Sequence, residues 1–172
     1  ALKAAYTTGL VAREDLFLQT KWTHRRGQDH RLPYDEHAPF SLQVQQSFRS
    51  SLDHLGTDYI DAYLLHGPMG REGLNESDWE VWRAMEELVD SGAVRTLGAS
   101  NMSLQHLREL LLGSRIKPKY VQNRCYARTQ WDLEIRQLCE EAGILYQGFS
   151  LLTANRFELA KPSTLELAQK HN

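Results

Sequence analysis

One pattern constrains this chain more than any other. Short apolar runs rich in strand formers alternate along its length with longer segments of helical period. Leu16 to Thr20 is the first strand-like run, and Tyr59 to Leu65 the second. Val94 to Ala99 is the third, Tyr120 to Gln122 opens a fourth, and Ile144 to Phe149 is the fifth. The first helix follows a polar insert, Thr23 to Pro39, and runs from Ser41 to about Leu55, with Val44, Phe48 and Leu52 on one face. Ser41 is its expected N-cap and Gly56 its stop. Ser77 or Asp78 is expected to cap a helix carrying Trp82, Met85 and Val89, which Gly92 ends. Ser103 is expected to cap a third, with Leu104, Leu107, Leu110 and Leu111. Leu133 to Ala142 ends at Gly143, and a closing helix after Pro162 is expected to turn Leu165 and Ala168 inward.

Strands separated by helices pair in parallel, because each crossover helix returns the chain to the same end of the sheet. Both an open doubly wound sheet and a closed barrel satisfy that pattern. No G-x-G-x-x-G follows any strand, so the dinucleotide fingerprint of the open sheet is missing. Linkers and repeats are not evident, and residues 1–172 read as a single domain. A formal net charge of -2 gives no strong field to attract nucleic acid or an acidic membrane. No apolar run approaches the ~20 residues of a membrane span. Cys125 and Cys139 fit neither a metal-ligand spacing nor a secreted disulfide framework, and Cys139 reads as a small core residue. A cytoplasmic location is the expectation. The chain starts with Ala1 inside one helix and stops inside another, which reads as a fragment.

In a barrel of this kind chemistry sits where strands end. Lys21 follows the first strand and His66 the second. Ser100 and Asn101 follow the third, Gln122 ends the fourth, and Phe149 with Ser150 ends the fifth. Taken singly, these are a solvated lysine, a structural histidine, a helix cap and a core ring. Five successive strand ends carrying site-type groups is a different matter.

At these positions the chain resembles the aldo-keto reductase family. The segment R-E-D-L-F-L-Q-T-K (Arg13 to Lys21) is similar to the family's third strand with its catalytic lysine. G-T-D-Y-I-D-A-Y-L-L-H-G-P (Gly56 to Pro68) is similar to the fourth, with its catalytic histidine. L-G-A-S-N-M (Leu97 to Met102) matches a G-x-S-N motif, and V-Q-N-R-C-Y (Val121 to Tyr126) carries a glutamine at the family position. G-I-L-Y-Q-G-F-S-L-L (Gly143 to Leu152) is similar to the seventh strand.

The resemblance implies an α/β fold, a partial (β/α)8 TIM barrel of roughly strands 3 to 7. It implies an oxidoreductase that passes hydride from NADPH to an aldehyde or ketone, with a small-molecule carbonyl substrate as partner. Lys21 and His66 take the catalytic roles. Ser100, Asn101, Gln122, Phe149, Ser150 and Leu152 take cofactor-binding roles, and no metal is implied. A tyrosine hydroxyl, with a pKa near ~10 when free, is the family's proton source and needs a nearby ammonium to work near neutral pH.

Two family residues have no counterpart here. The resemblance places that tyrosine and its partner aspartate upstream of Ala1, and the eighth strand that holds the 2′-phosphate is absent too. The isolated 172-residue chain is therefore expected to be poorly folded and inactive, with two open sheet edges. Met102 and Gly67 replace bulkier aromatics, so substrate preference does not carry over, and Arg124 stands where many relatives have an acid. Two rival expectations are a non-catalytic nucleotide-binding relative and a truncated inactive copy.

Overall fold

The computed structural model describes residues 2–171. Five strands form one parallel sheet in chain order: β1 (Gln19–Trp22), β2 (Ile60–Leu65), β3 (Val94–Ser100), β4 (Tyr120–Arg124) and β5 (Leu145–Phe149). The helices are α1 (Leu2–Thr7), α2 (Phe40–Leu55), α3 (Glu76–Asp90), α4 (Leu104–Gly113), α5 (Leu133–Glu141), α6 (Leu151–Ala154), α7 (Arg156–Leu159) and α8 (Pro162–Lys170).

One contact shows that the sheet is curled. Adjacent strands lie about 4.8 Å apart, so a flat sheet would separate the first from the fifth by about 19 Å. Yet Gln19 of β1 donates from Nε2 to Gln147 Oε1 of β5 at 3.0 Å. Following the ladder register from Gln19 across the sheet, Gln147 lies four residues further along β5, one per strand step. That is the stagger of an eight-stranded barrel with shear 8. The sheet is an arc of such a barrel, its concave face carrying Gln19, Gln122 and Gln147.

The helices cover the convex face. Trp22 stacks on Tyr34 at 6.3 Å and meets Phe40 of α2 edge-on at the same distance. Tyr63 of β2 meets Phe48 of α2 edge-on at 5.3 Å. Trp82 and Met85 of α3, with Leu107 and Leu110 of α4, complete a layer of fully buried side chains. Burying each such side chain contributes roughly 1.5–3 kcal/mol relative to leaving it exposed. Cys139 is buried in this layer, as the sequence suggests.

Local signals were obeyed where nothing more distant competed. Gly56 ends α2 in the left-handed region at φ 68°, which a side chain would strain. Ser103 caps α4 in a capping box with His106. Elsewhere the expectation needs correction. The N-cap of α2 is Pro39, not Ser41, because the Ser41 amide is satisfied from another helix by Glu80 Oε1 at 2.9 Å. The N-cap of α3 is Asn75 rather than Ser77 or Asp78. Asp78 sits one turn in, returning a bond to the Asn75 amide (3.1 Å) and also accepting from the Met69 and Gly70 amides (2.7 and 3.0 Å). The first strand starts later than Leu16, since the Leu18 amide donates to the Asp61 carboxylate instead of a strand neighbour. Leu165 and Ala168 do not form an inner face: both are exposed, and α8 buries no residue. Ala1, expected to lie inside a helix, is outside the described residues. No helix of the described residues is long and apolar enough to cross a membrane.

Candidate active site

The barrel stagger decides which side chains meet. Allowing one residue per strand, the level of Lys21 on β1 passes between Leu64 and His66 on β2, reaches Ser100 on β3, lies between Gln122 and Arg124 on β4, and reaches Phe149 on β5. The structure therefore brings Lys21, His66, Ser100, Gln122 and Phe149 within one residue of a common height at the rim of the concave face. Lys21 and Gln122 lie inside β1 and β4 rather than at or beyond their ends, because the strand pairing runs on to Trp22 and Arg124. Trp22 turns to the helix side, and strand alternation turns Lys21 the opposite way, above Gln19.

Lys21 makes no hydrogen bond or ion pair with any described residue, and burial pulls its ammonium below the ordinary lysine pKa. Burial, then the nearby Lys21 and His24, hold the His66 imidazole below its ordinary value, so it is neutral at pH 7. His66 is fixed through three groups. Its amide donates to the Trp22 carbonyl at 2.9 Å, its carbonyl accepts from Asn101 Nδ2 at 2.7 Å, and its Nδ1 lies 2.7 Å from Thr23 Oγ1. His66, Asn101, His24 and His106 line a cavity of about 380 Å³ at the strand ends.

Asn101 turns out of β3 with φ 55°, a left-handed conformation that asparagine tolerates better than most residues. Its amide nitrogen also donates to Ser100 Oγ at 3.2 Å, and Ser100 Oγ donates to the Gln122 carbonyl at 2.6 Å. Asn101 does not cap α4; Ser103 does. Gln122 Nε2 donates to Gln147 Oε1 at 3.0 Å, the same oxygen that receives Gln19 Nε2. The side-chain amide nitrogens of Asn101 and Gln122 thus donate into the protein, while the side-chain oxygens Asn101 Oδ1 and Gln122 Oε1 have no partner among the described residues.

Phe149 is half-buried at the end of β5, and the Arg124 guanidinium lies 5.7 Å from its ring centroid. This cation–π geometry accounts for Arg124, which the sequence alone leaves unexplained. Ser150 follows at φ 57°, a non-glycine residue in the left-handed region. Leu152 is less well placed. It lies beyond the strand on α6 and is 69% exposed.

Three residues of the site escape a sequence reading: Thr23, Gln19 and Gln147. Gln19 and Gln147 sit two positions before Lys21 and Phe149, on the same strand faces, and that alternation was the available signal. No described group of three or more His, Cys, Asp or Glu is arranged to hold a metal ion.

The parallel (β/α) arc that carries these residues has close counterparts among known proteins. The Aldo/keto reductase family model matches residues 1–165, and the chain belongs to the aldo-keto reductase family. Glyoxal reductase of Bacillus subtilis is 33% identical over 163 residues, covering 94% of this chain and 52% of that protein. An aldo/keto reductase structure from Brucella melitensis superposes with TM-score 0.76 at 29% identity, covering 99% of this chain and 59% of that one. An aldo-keto reductase of Bombyx mori in complex with NADP superposes with TM-score 0.64 at 28% identity, covering 86% and 45% respectively. The chain spans about half the length of the curated relatives it matches.

Proposed function

We propose that this protein reduces aldehyde or ketone carbonyls with hydride from NADPH. The observation that carries the reading is the meeting of an uncompensated Lys21 and a neutral, rigidly held His66 at one rim height with Ser100, Asn101, Gln122 and Phe149. A purely structural rim has no use for an ammonium without a counter-charge beside a desolvated imidazole. The solved relative carrying NADP supports the choice of cofactor.

The residues fit a nicotinamide. Its carboxamide nitrogen offers two N–H donors, and the open carbonyl oxygens of Asn101 and Gln122 are the matching acceptors. Phe149 offers a ring face for stacking. The cofactor, when bound, supplies the hydride. The chain's own part is to hold the ring edge with Asn101 and Gln122, fixing which face meets the substrate. His66 donates a hydrogen bond to the carbonyl oxygen and steadies the charge that grows there. The Lys21 ammonium lowers the cost of a developing negative charge at a proton donor beside it.

A second reading is a nucleotide-binding relative without turnover. Tyr34 spends its hydroxyl on the Thr23 carbonyl (2.8 Å) and Tyr146 on Asp132 (2.9 Å), while Tyr63 lies against Phe48 on the helix side. None of these is free to give up a proton beside Lys21. The test is aldehyde-dependent NADPH oxidation by the purified protein and by Lys21→Met. Turnover that falls roughly 10²-fold or more in the variant supports reduction. NADPH binding with no turnover in either protein selects the second reading. The proposal includes a cytosolic location, which the two free cysteines support.

A further inference from the structure

We propose that Thr23 is a positioning residue for His66: its hydroxyl donates to Nδ1 and so keeps the imidazole proton on Nε2, the nitrogen left for a ligand. The inference deepens the carbonyl-reductase reading and rests on it for its catalytic consequence, though not for its structural one.

A threonine hydroxyl can donate or accept, so the 2.7 Å contact between Thr23 Oγ1 and His66 Nδ1 does not by itself say which nitrogen is protonated. The destination of the hydroxyl proton decides it. Among the described residues Oγ1 has no other partner, so no second acceptor competes for that proton. Thr23's own carbonyl is already taken by Tyr34 Oη at 2.8 Å and Gln28 Nε2 at 3.3 Å. With O–H directed at Nδ1, that nitrogen must offer its lone pair, and the neutral ring carries its proton on Nε2.

The surroundings also fix the threonine rotamer. A Cβ built on Gly27 would lie 2.7 Å from Thr23 Cγ2, so the methyl group occupies space that only a glycine leaves open. Tyr34, stacked on Trp22, anchors the backbone of the same residue from below. The polar insert that separates β1 from α2 thereby acquires a role: Gly27, Gln28 and Tyr34 clamp Thr23, and Thr23 sets His66. The other tautomer would aim an imidazole lone pair at a substrate carbonyl oxygen, which repels rather than binds it.

The test uses Thr23→Val, which removes the hydroxyl at nearly constant shape, and Thr23→Ser, which restores it. Long-range ¹⁵N–¹H spectra of the His66 ring read the tautomer directly. The wild-type protein and Thr23→Ser should show the proton on Nε2, and Thr23→Val a mixture of both forms. With a simple aldehyde and NADPH, kcat should fall roughly tenfold to a hundredfold in Thr23→Val, with KM for NADPH unchanged, and recover in Thr23→Ser. A wild-type ring protonated on Nδ1, or a Thr23→Val spectrum identical to wild type, overturns the inference. Should Thr23→Val not fold, Gly27→Ala, which displaces the threonine methyl, must shift the tautomer in the same way, and an unchanged spectrum there overturns it equally. Absence of turnover in every form, with the tautomers as expected, defeats the carbonyl-reductase reading and leaves the role of Thr23 standing.

Discussion

The stretch from β1 to α4 and the stretch from β5 to α8 are built differently. The first buries whole side chains on its convex side, Trp22, Tyr63, Trp82, Met85, Leu97 and Leu107 among them. The second buries nothing in α6, α7 or α8, and leaves Leu151, Leu152, Phe157, Leu165 and Leu167 exposed. Beyond the pairing of β5 with β4, it has one buried side chain among the described residues. Asn155 accepts from the Ala127 amide at 2.8 Å and donates to the Leu151 and Cys125 carbonyls at 2.7 and 3.2 Å. The site straddles this divide. Lys21, His66, Ser100 and Asn101 stand on the packed part, and Phe149, Ser150 and Leu152 at the edge of the other. Groups proposed to act on a reacting atom stand on the core, and the ring proposed to lie against the cofactor is held by strand pairing and Arg124.

That contrast can be broken most forcefully in the core. Trp82→Ala removes a fully buried ring and should cost about 3–5 kcal/mol in urea unfolding, whereas Leu167→Ala on α8 should change stability by less than about 0.5 kcal/mol. Equal costs would erase the distinction. Asn155→Ala should cost about 1–3 kcal/mol because it leaves the Ala127 amide and two carbonyls without their partner. Hydrogen exchange should then speed up across 151–170 and stay slow in β2 and β3. A uniform rise would show the two stretches opening together.

The smallest effect is electrostatic and belongs to the packed part. Burial, Lys21 and His24 depress the His66 pKa, so its NMR titration midpoint should lie below the ~6.5 of a free imidazole. Lys21→Met should move that midpoint up. The linkage has a definite sign: below about pH 6.5 the unfolded chain takes up a proton that folded His66 resists, so stability falls as pH drops toward the folded midpoint and then levels off. A midpoint above 6.5 would contradict the desolvated setting.

Much of this was legible in the residues. The five strands and their parallel pairing follow from the alternation of apolar runs, their sequential order from the family resemblance, and the strand-end rule alone draws attention to Lys21, His66, Ser100, Asn101, Gln122 and Phe149. What failed is instructive. Ser41 and Ser77 look like caps because capping is local chemistry, but the Ser41 amide is satisfied by Glu80, 39 residues away. Leu165 and Ala168 follow a helical period with no partner surface to bury it, since periodicity reports a face and says nothing of what covers it. Thr23 gave no signal because its meaning lies in a contact with His66, 43 residues away, and Gln147 only the weak signal of strand alternation. Only the curl that brings Gln19 to Gln147, across 128 residues of chain, puts the three glutamines in one layer.

The convergence of the rim residues is tested most directly by a crystal structure of the protein with NADP⁺. The expected result is a nicotinamide carboxamide nitrogen within ~2.7–3.2 Å of both Asn101 Oδ1 and Gln122 Oε1, with the ring over Phe149 and His66 Nε2 facing the same cavity. A nicotinamide seated elsewhere, or Asn101 and Gln122 facing away from one another with His66 turned out of the cavity, would contradict it.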